Sequence, residues 1–559
     1  MDISWVRDFL HWMSEAVAQY NYSNLLTTPS YFRQLFFSAY QKIASAVFLL
    51  STEEAPDNFS YETTPKREFT VYIVTWNVAS KPPPPADRML NMMKFSEDWN
   101  KANDKDPDLY IIGLQEVGTA TLPKIGTGPV GNSLWHLRLK EILTPREYIL
   151  VRCKSMQAIR IFCFAKRKHL LHLRKIEAEQ TRTGLGGLLG NKGAVSIRLN
   201  LSGCAVCFVN SHLASDENSP EERLADYKQI IENHRYKLPL YPEIFSHDII
   251  FWFGDLNFRL TRDNKLSPEE ILQLIEANER NKLLRLDELT QFIKDGEIFQ
   301  GFVEQLPNFP PTYKFDYASP FYNLKRKPAW TDRILYRVKS NPYKNVQFQV
   351  TQGLYTSFPE CDISDHRPVT SEFNIKFVDA TKVKNVSLKR RPKMERTSAT
   401  AEASFPRQIF VDQSQNIVEF DHIPHWLLDD DNVIDYTLPP SFCEHPGNDW
   451  IGIFRSDFDD LSKYIAYQYV PPPNIANHAI TEAMPTTSDG CNTRRRRRIT
   501  LNFSENSVNI VANRRYVLLY IEREEGSAMG VAGISNSFAA RYGTEVDVGQ
   551  SEVEIKKED

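Results

Sequence analysis

Residues 248–260 read DIIFWFGDLNFRL. The run from Ile249 to Phe253 has no polar side chain, the pattern of a strand covered on both faces, and such strands belong to sheets flanked by helices. It ends in Asp255, Asn257 and Arg259, for which a buried strand has no packing use. The arrangement recurs outward along the chain. EFTVYIVTWNVAS (68–80), DLYIIGLQEV (108–117), AIRIFCFA (158–165), GAVSIRLN (193–200) and AVCFVNSHL (205–213) are short apolar runs that alternate with helix-forming stretches. Residues 66–378 therefore form an α/β domain. One helix start is explicit in SPEEILQLI (267–275), where Ser267 is an N-cap, Pro268 a first-turn proline and Glu270 a capping-box glutamate.

The chain has 559 residues, more than one hydrophobic core organises, so several domains are expected. A formal net charge of −4 argues against general attraction to nucleic acid or anionic membrane, so any anion site must be local. Seven scattered cysteines fit a reducing, cytoplasmic compartment. Cys204 and Cys207 lie in a strand-like run with no second such pair nearby and read as core thiols. Residues 1–65 carry spaced apolar residues such as Trp5, Phe9 and Trp12 and form a helical extension without a signal-peptide or membrane-spanning pattern. Residues 379–404 are basic, rich in small residues and aperiodic, which marks a linker. Beyond it, alternating runs such as DWIGIFRSDF and RYVLLYIE predict a compact β domain over 405–540, with a charged tail at 541–559. The run Arg494–Arg498 has two readings, attraction to anionic lipid or a solvated loop.

Polar residues stand at the ends of the apolar runs: Asn77, Glu116, His212, Asp255 and Asn257, with Asp332, Asp365 and His366 in later segments. In α/β folds such strand ends meet at one rim and aim side chains from distant sequence into one crevice. Each residue alone is an ordinary turn former or hydrogen bonder; the set points to a site. Hard oxygen ligands such as Glu116 suit magnesium, whereas zinc would call for more histidine or cysteine at ligand spacing. Between them, TRTGLGGLLGNKGAV (181–195) lacks the spacing of a Walker loop but offers Lys192 to phosphate; its plain reading is a hairpin turn.

TWNV, LQEV, GNKGAV, NSHL, WFGDLNFR, PAWTDRIL and SDHRPV occur in this order, and with them the chain resembles the inositol polyphosphate 5-phosphatases over about residues 68–378. The resemblance implies the two-sheet α/β sandwich of the endonuclease/exonuclease/phosphatase superfamily. The C-terminal region, from FPRQIFVDQSQ to YVLLYIEREEGSAMGVAGISNSF, resembles a SKICH domain, an immunoglobulin-like all-β module of the skeletal-muscle-and-kidney-enriched and proline-rich members of that family.

From the resemblance, Glu116, helped by Asn77, holds magnesium on the 5-phosphate. Asp255 positions or deprotonates the attacking water, and Asn257 steadies it and the phosphate oxygens. His366, paired with Asp332 and beside Asp365, faces the phosphate as a cation, and His212 is a further donor. Tyr313, Lys314 and Arg326 match the family's 4-phosphate ligands. The expected activity is magnesium-dependent hydrolysis of the 5-phosphate of phosphatidylinositol 4,5-bisphosphate and the 3,4,5-trisphosphate, with soluble inositol polyphosphates as further substrates. The expected setting is the cytoplasm, peripheral to plasma membrane or endoplasmic reticulum, with protein partners through the SKICH domain and no nucleic acid. Two alternatives stand beside this reading: a catalytically weak, membrane-targeted adaptor acting through the SKICH domain, and another phosphodiesterase of the superfamily.

Overall fold

The structure, a computed structural model, describes residues 66–95, 106–118, 133–217, 219–261, 265–339, 349–378, 417–439, 442, 448–471, 495–501, 510–523 and 528–543. The N-terminal helix expected over 1–65 and the linker at 379–404 lie outside the described residues, as does most of the tail.

The region from 66 to 378 is a two-sheet α/β sandwich. Its strands are β1 (Lys66–Asn77), β2 (Leu109–Gln115), β3 (Tyr148–Met156), β4 (Ile159–Lys166), β5 (Leu173–Thr183), β6 (Leu189–Leu201), β7 (Cys204–His212), β8 (Ile249–Asp255), β9 (Asp332–Val338), β10 (Gln349–Ser357) and β11 (Val369–Val378). One sheet runs in the order β10-β11-β1-β2-β4-β3 and the other contains β5-β6-β7-β8-β9. Alternate residues of each strand fill different layers, because successive side chains point to opposite faces. Val71 and Ile73 of β1 join Phe208, Phe251 and Phe253 in the core between the sheets. Tyr72, Val74 and Trp76 face outward to pack with Trp135 and Leu139 of α1 (Leu134–Leu143). Val209 and Trp252 do the same with Leu224 and Tyr227 of α2 (Pro220–Asn233). Cover on both sides is why these strands lack polar alternation. The helix α3 (Pro268–Glu276) starts at Ser267 with both hydrogen bonds of the capping box. Cys204 and Cys207 are free and buried.

The topology decides where the strand ends meet. β1 and β2 are parallel, as are β7 and β8, so their C-terminal ends share one rim. β9 is antiparallel to β8, which brings its first residue to the same rim. The register aligns His212 with Asp255 and Asp255 with Asp332, a row of three polar residues across three strands. Gly254, just before Asp255, has φ +141°, and a Cβ there would lie 2.0 Å from the Ser211 carbonyl oxygen. Only glycine permits that approach of β8 to β7.

The C-terminal unit is an immunoglobulin-like β domain. Its strands are β12 (Glu419–Phe420), β13 (His425–Leu427), β14 (Asn432–Leu438), β15 (Trp450–Arg455), β16 (Ala466–Tyr469), β17 (Arg495–Leu501), β18 (Arg515–Arg523), β19 (Met529–Ile534) and β20 (Phe538–Arg541). It is joined to the sandwich by a buried seam. Met529 of β19 pairs with Ile176 of β5, and Phe454, Phe458, Leu519 and Ile521 belong to the same core as Ile149, Leu173 and Ile176. Arg174 donates to Glu522 inside this seam, and Lys140 Nζ lies 2.7 Å from Asp459. The run Arg494–Arg498 is not a loop over its described part, since Arg495–Arg498 open strand β17.

Candidate active site

At the rim where the strand ends meet, a polar crevice of about 350 Å³ is lined by Glu116, His212, Asp255, Asn257 and His366 on the strand side and by Tyr313, Lys314, Arg326 and Asp365 on the loop side. Asn77, Lys192 and Asp332 stand behind this lining and hold it. Twelve residues singled out from sequence thus come together from segments nearly three hundred positions apart.

Asp255, only 1% exposed, is the hub. Its Oδ2 accepts from Asn77 Nδ2 at 2.9 Å and lies 3.3 Å from His212 Nε2 and 3.8 Å from His366 Nε2. Its Oδ1 accepts from the Asn257 amide at 3.2 Å. Burial alone would raise this carboxyl, but His366, His212 and Lys192 outweigh it and hold Asp255 far below the usual carboxylate range.

The two imidazoles beside Asp255 are driven in opposite directions. His366 is buried, which disfavours its cation, yet Asp332 and Asp255 more than offset this and push it up to about 9. Its Nδ1 donates to Asp332 Oδ2 at 3.0 Å, leaving Nε2 toward Asp255. Asp332 is fixed in turn by Thr312 Oγ1 at 2.7 Å and Thr331 Oγ1 at 2.9 Å. His212 is equally buried, but Lys192 stands beside it and adds to the burial penalty, so its pKa is lowered despite Asp255 and Glu116. Lys192 Nζ is 2.5 Å from His212 Nε2. The crevice therefore holds one cationic and one neutral ring near neutral pH.

Asn77 links two carboxylates of the crevice. Its Nδ2 donates to Glu116 Oε1 at 3.1 Å as well as to Asp255, and its Oδ1 accepts from the Ala79 amide at 3.0 Å. Asn77 thereby ties the Glu116 and Asp255 carboxylates together, and its Oδ1, accepting one hydrogen bond, keeps a second lone pair that a metal could use. Glu116 has φ +54° and a side chain 46% exposed to the crevice. A half-exposed carboxylate backed by an ionised Asp255 is a hard-oxygen donor set that fits a divalent cation keeping several waters. Asp255, Asp332 and His366 also lie within metal-binding distance of one another. Asp332 Oδ2 accepts from His366 and two threonine hydroxyls, which ties the ring to the strand end.

Asn257 likewise has φ +57°, donates to the Leu213 carbonyl at 3.0 Å and accepts from Arg259 Nη2 at 2.6 Å. On the loop side, Lys314 Nζ pairs with Asp365 at 2.9 Å and Arg326 Nη1 with Glu217 at 2.9 Å. Arg259 stacks 4.4 Å over the Tyr313 ring. Three lining residues were not singled out from sequence: Ser215, Glu217 and Tyr317. Arg259, which follows Asn257 by two residues in GDLNFR, was named at the strand end without a role. Ser215 and Glu217 lie in SDENSPEE, which looks like any polar turn before a helix.

Residues 74–372 match the Endonuclease/Exonuclease/phosphatase family 2, and residues 418–540 match the SKICH domain. The chain is 32% identical over 417 residues to phosphatidylinositol 4,5-bisphosphate 5-phosphatase A of Homo sapiens, covering 73% of this chain and 37% of that protein. It is 30% identical over 413 residues to inositol polyphosphate 5-phosphatase K of Mus musculus, covering 72% of this chain and 79% of that protein. A solved structure, the inositol polyphosphate 5-phosphatase domain of SPsynaptojanin in complex with inositol (1,4)-bisphosphate and calcium ion, is 29% identical. It covers 58% of this chain and 89% of that one, with a TM-score of 0.48. The chain spans 37–40% of the length of the first three curated relatives it matches.

Proposed function

The chain belongs to the Endonuclease/Exonuclease/phosphatase family 2, among its SKICH-bearing inositol polyphosphate 5-phosphatases, and we propose that it removes the 5-phosphate of phosphatidylinositol 4,5-bisphosphate with the help of magnesium. Phosphatidylinositol 3,4,5-trisphosphate and soluble inositol polyphosphates are further substrates under the same reading. The observation that carries it is one crevice with ionised Asp255 and cationic His366 on one wall and Tyr313, Lys314 and Arg326 on the other. The first wall suits a phosphoryl group under attack; the second suits a neighbouring phosphate that stays behind.

Uncatalysed phosphate-monoester hydrolysis is so slow that enzymes accelerate it by up to ~10²¹, while one acid or base supplies only about 10²–10⁴. Most of the work must come from charge arranged in advance. His366, protonated on both nitrogens and held by Asp332 in one orientation, directs its Nε2 hydrogen at the phosphoryl oxygens. Asp255 orients the attacking water. Because its carboxyl is held so low, it accepts the proton only as the new P–O bond makes the water strongly acidic. His212 and Asn77 keep that carboxylate turned toward the water, and Asn257, clamped by Arg259 and Leu213, has an amide hydrogen left for a phosphate oxygen. A divalent cation bound at Glu116 supplies further positive charge to the same oxygens.

A lipid substrate agrees with apolar side chains exposed outside the crevice. Leu188 at the β5–β6 turn is 80% exposed, and Phe321, on the turn that carries Tyr317, is 72% exposed. Among the described residues no helix is long and apolar enough to cross a membrane. Peripheral attachment from the cytoplasm, at the plasma membrane or endoplasmic reticulum, and protein partners of the SKICH domain complete the proposal.

The test is phosphate release from water-soluble short-chain phosphatidylinositol 4,5-bisphosphate, 3,4,5-trisphosphate and 5-phosphate, with and without magnesium, identifying the phosphates left on each product. Magnesium-dependent loss of the 5-phosphate is the expected result. No turnover of any inositol substrate would overturn it and favour the adaptor.

A further inference from the structure

Glu217 lies between β7 and α2 and has no visible duty in the fold. Its neighbours serve the turn: Asp216 Oδ2 accepts from Ser219 Oγ, and the Asp216 carbonyl accepts from Arg223. Glu217 instead reaches into the crevice, where Oε2 accepts from Arg326 Nη1 at 2.9 Å. Arg326 is drawn from the far side of a gap of 109 residues and is its one hydrogen-bond partner among the described residues. The glutamate side chain is 25% exposed and the arginine 55%. An exposed pair of this kind contributes little to stability, so folding gives no strong reason for it.

The location supplies a reason. Arg326 is one of the two cations facing the place of the retained phosphate, and the other, Lys314, is also held by a carboxylate, that of Asp365. Asp365 is next to His366 in sequence and was singled out with it; Glu217 belongs to no such group. We propose that Glu217 sets how strongly this crevice favours a second phosphate: its carboxylate occupies Arg326, must release it when a phosphate arrives beside the scissile one, and repels that phosphate afterwards. Resting on the phosphatase reading, this assigns a selectivity-setting role to a residue outside every recognised motif. Glu217 weakens preference for vicinal bisphosphates, leaving a site that turns over more readily on substrates bearing the 5-phosphate alone.

The experiment compares wild type with Glu217→Gln on short-chain phosphatidylinositol 4,5-bisphosphate and 5-phosphate, measuring KM and kcat separately. Glutamine still accepts from Arg326, so the substitution removes charge and keeps the arginine in place. A single like charge at a solvated rim predicts a KM lower by ~3–10-fold for the bisphosphate, with kcat and the monophosphate KM within about twofold of wild type. Glu217→Lys should lower the bisphosphate KM further. A bisphosphate KM that is unchanged or raised, or equal shifts on both substrates, would overturn the inference. Wild type inactive on both lipids would instead overturn the phosphatase reading, and this inference with it.

Discussion

The crevice and strand β17 are both dense in charge, and they use it in opposite ways. In the crevice, Asp255, Asp332 and His366 are all under 5% exposed and converge from two strands and a loop. On β17, Arg496 and Arg498 stay at the surface, and each is neutralised by an aspartate on a neighbouring segment. Arg498 Nε meets Asp435 at 2.7 Å, directly across the ladder, and Arg496 donates to Asp421. Arg497, between them, points inward and donates to the Pro471 carbonyl at 3.1 Å. The pleat thus turns a uniform basic run into two surface pairs and one core-side donor. Charge becomes a site where burial makes each group depend on the others; in water, neighbours cancel it at little gain.

The sharpest break of this contrast is Asp255→Asn, which keeps the shape of the hub and removes its charge. Turnover of phosphatidylinositol 4,5-bisphosphate should fall by about 10²–10⁴-fold while far-UV circular dichroism stays unchanged. Retained activity would place the chemistry elsewhere.

A second prediction concerns His366 in the metal-free protein. Its folded pKa of about 9 lies above the ordinary value of 6.5, so its contribution to stability is fully present below pH 6.5 and is lost as pH rises through 9. The shift corresponds to on the order of 3 kcal/mol. Asp332→Asn should lower the ring's titration midpoint, read by NMR of the imidazole, and flatten the decline in stability between pH 6.5 and 9. An unmoved midpoint would show that Asp332 does not hold the cation.

The smallest effect is expected on β17. Arg498→Ala should cost less than about 1 kcal/mol in urea unfolding and leave the salt dependence of binding to anionic vesicles unchanged, because Asp435 already neutralises that guanidinium. A clear loss of vesicle binding would revive the lipid reading of the basic run and make the two regions alike.

Much of the sandwich was readable because strands covered on both faces leave long apolar runs, and because a polar residue ending such a run has few structural reasons to be there. Ser267 and Glu270 were readable for a local reason, since a capping box is complete within four residues. The seam between the domains was not. Arg174 and Glu522 are 348 positions apart, and nothing near either marks it as half of a buried pair. The same holds for Glu217, which resembles its exposed neighbours until Arg326 is brought across to it.

By itself, then, the sequence determined the strand class, the order of the motifs and which side chains were available to one rim, because hydrophobic pattern and capping act over a few residues. Only the tertiary structure decided what those side chains are. Two histidines that look alike in NSHL and SDHR part company because Lys192 stands beside one and Asp332 beside the other. Asn77 links Glu116 to Asp255 because the ends of β1, β2 and β8 meet at one rim. Protonation and hydrogen-bonding roles depend on distances between charges and on how far water is excluded, and those are set only when remote strands come into register.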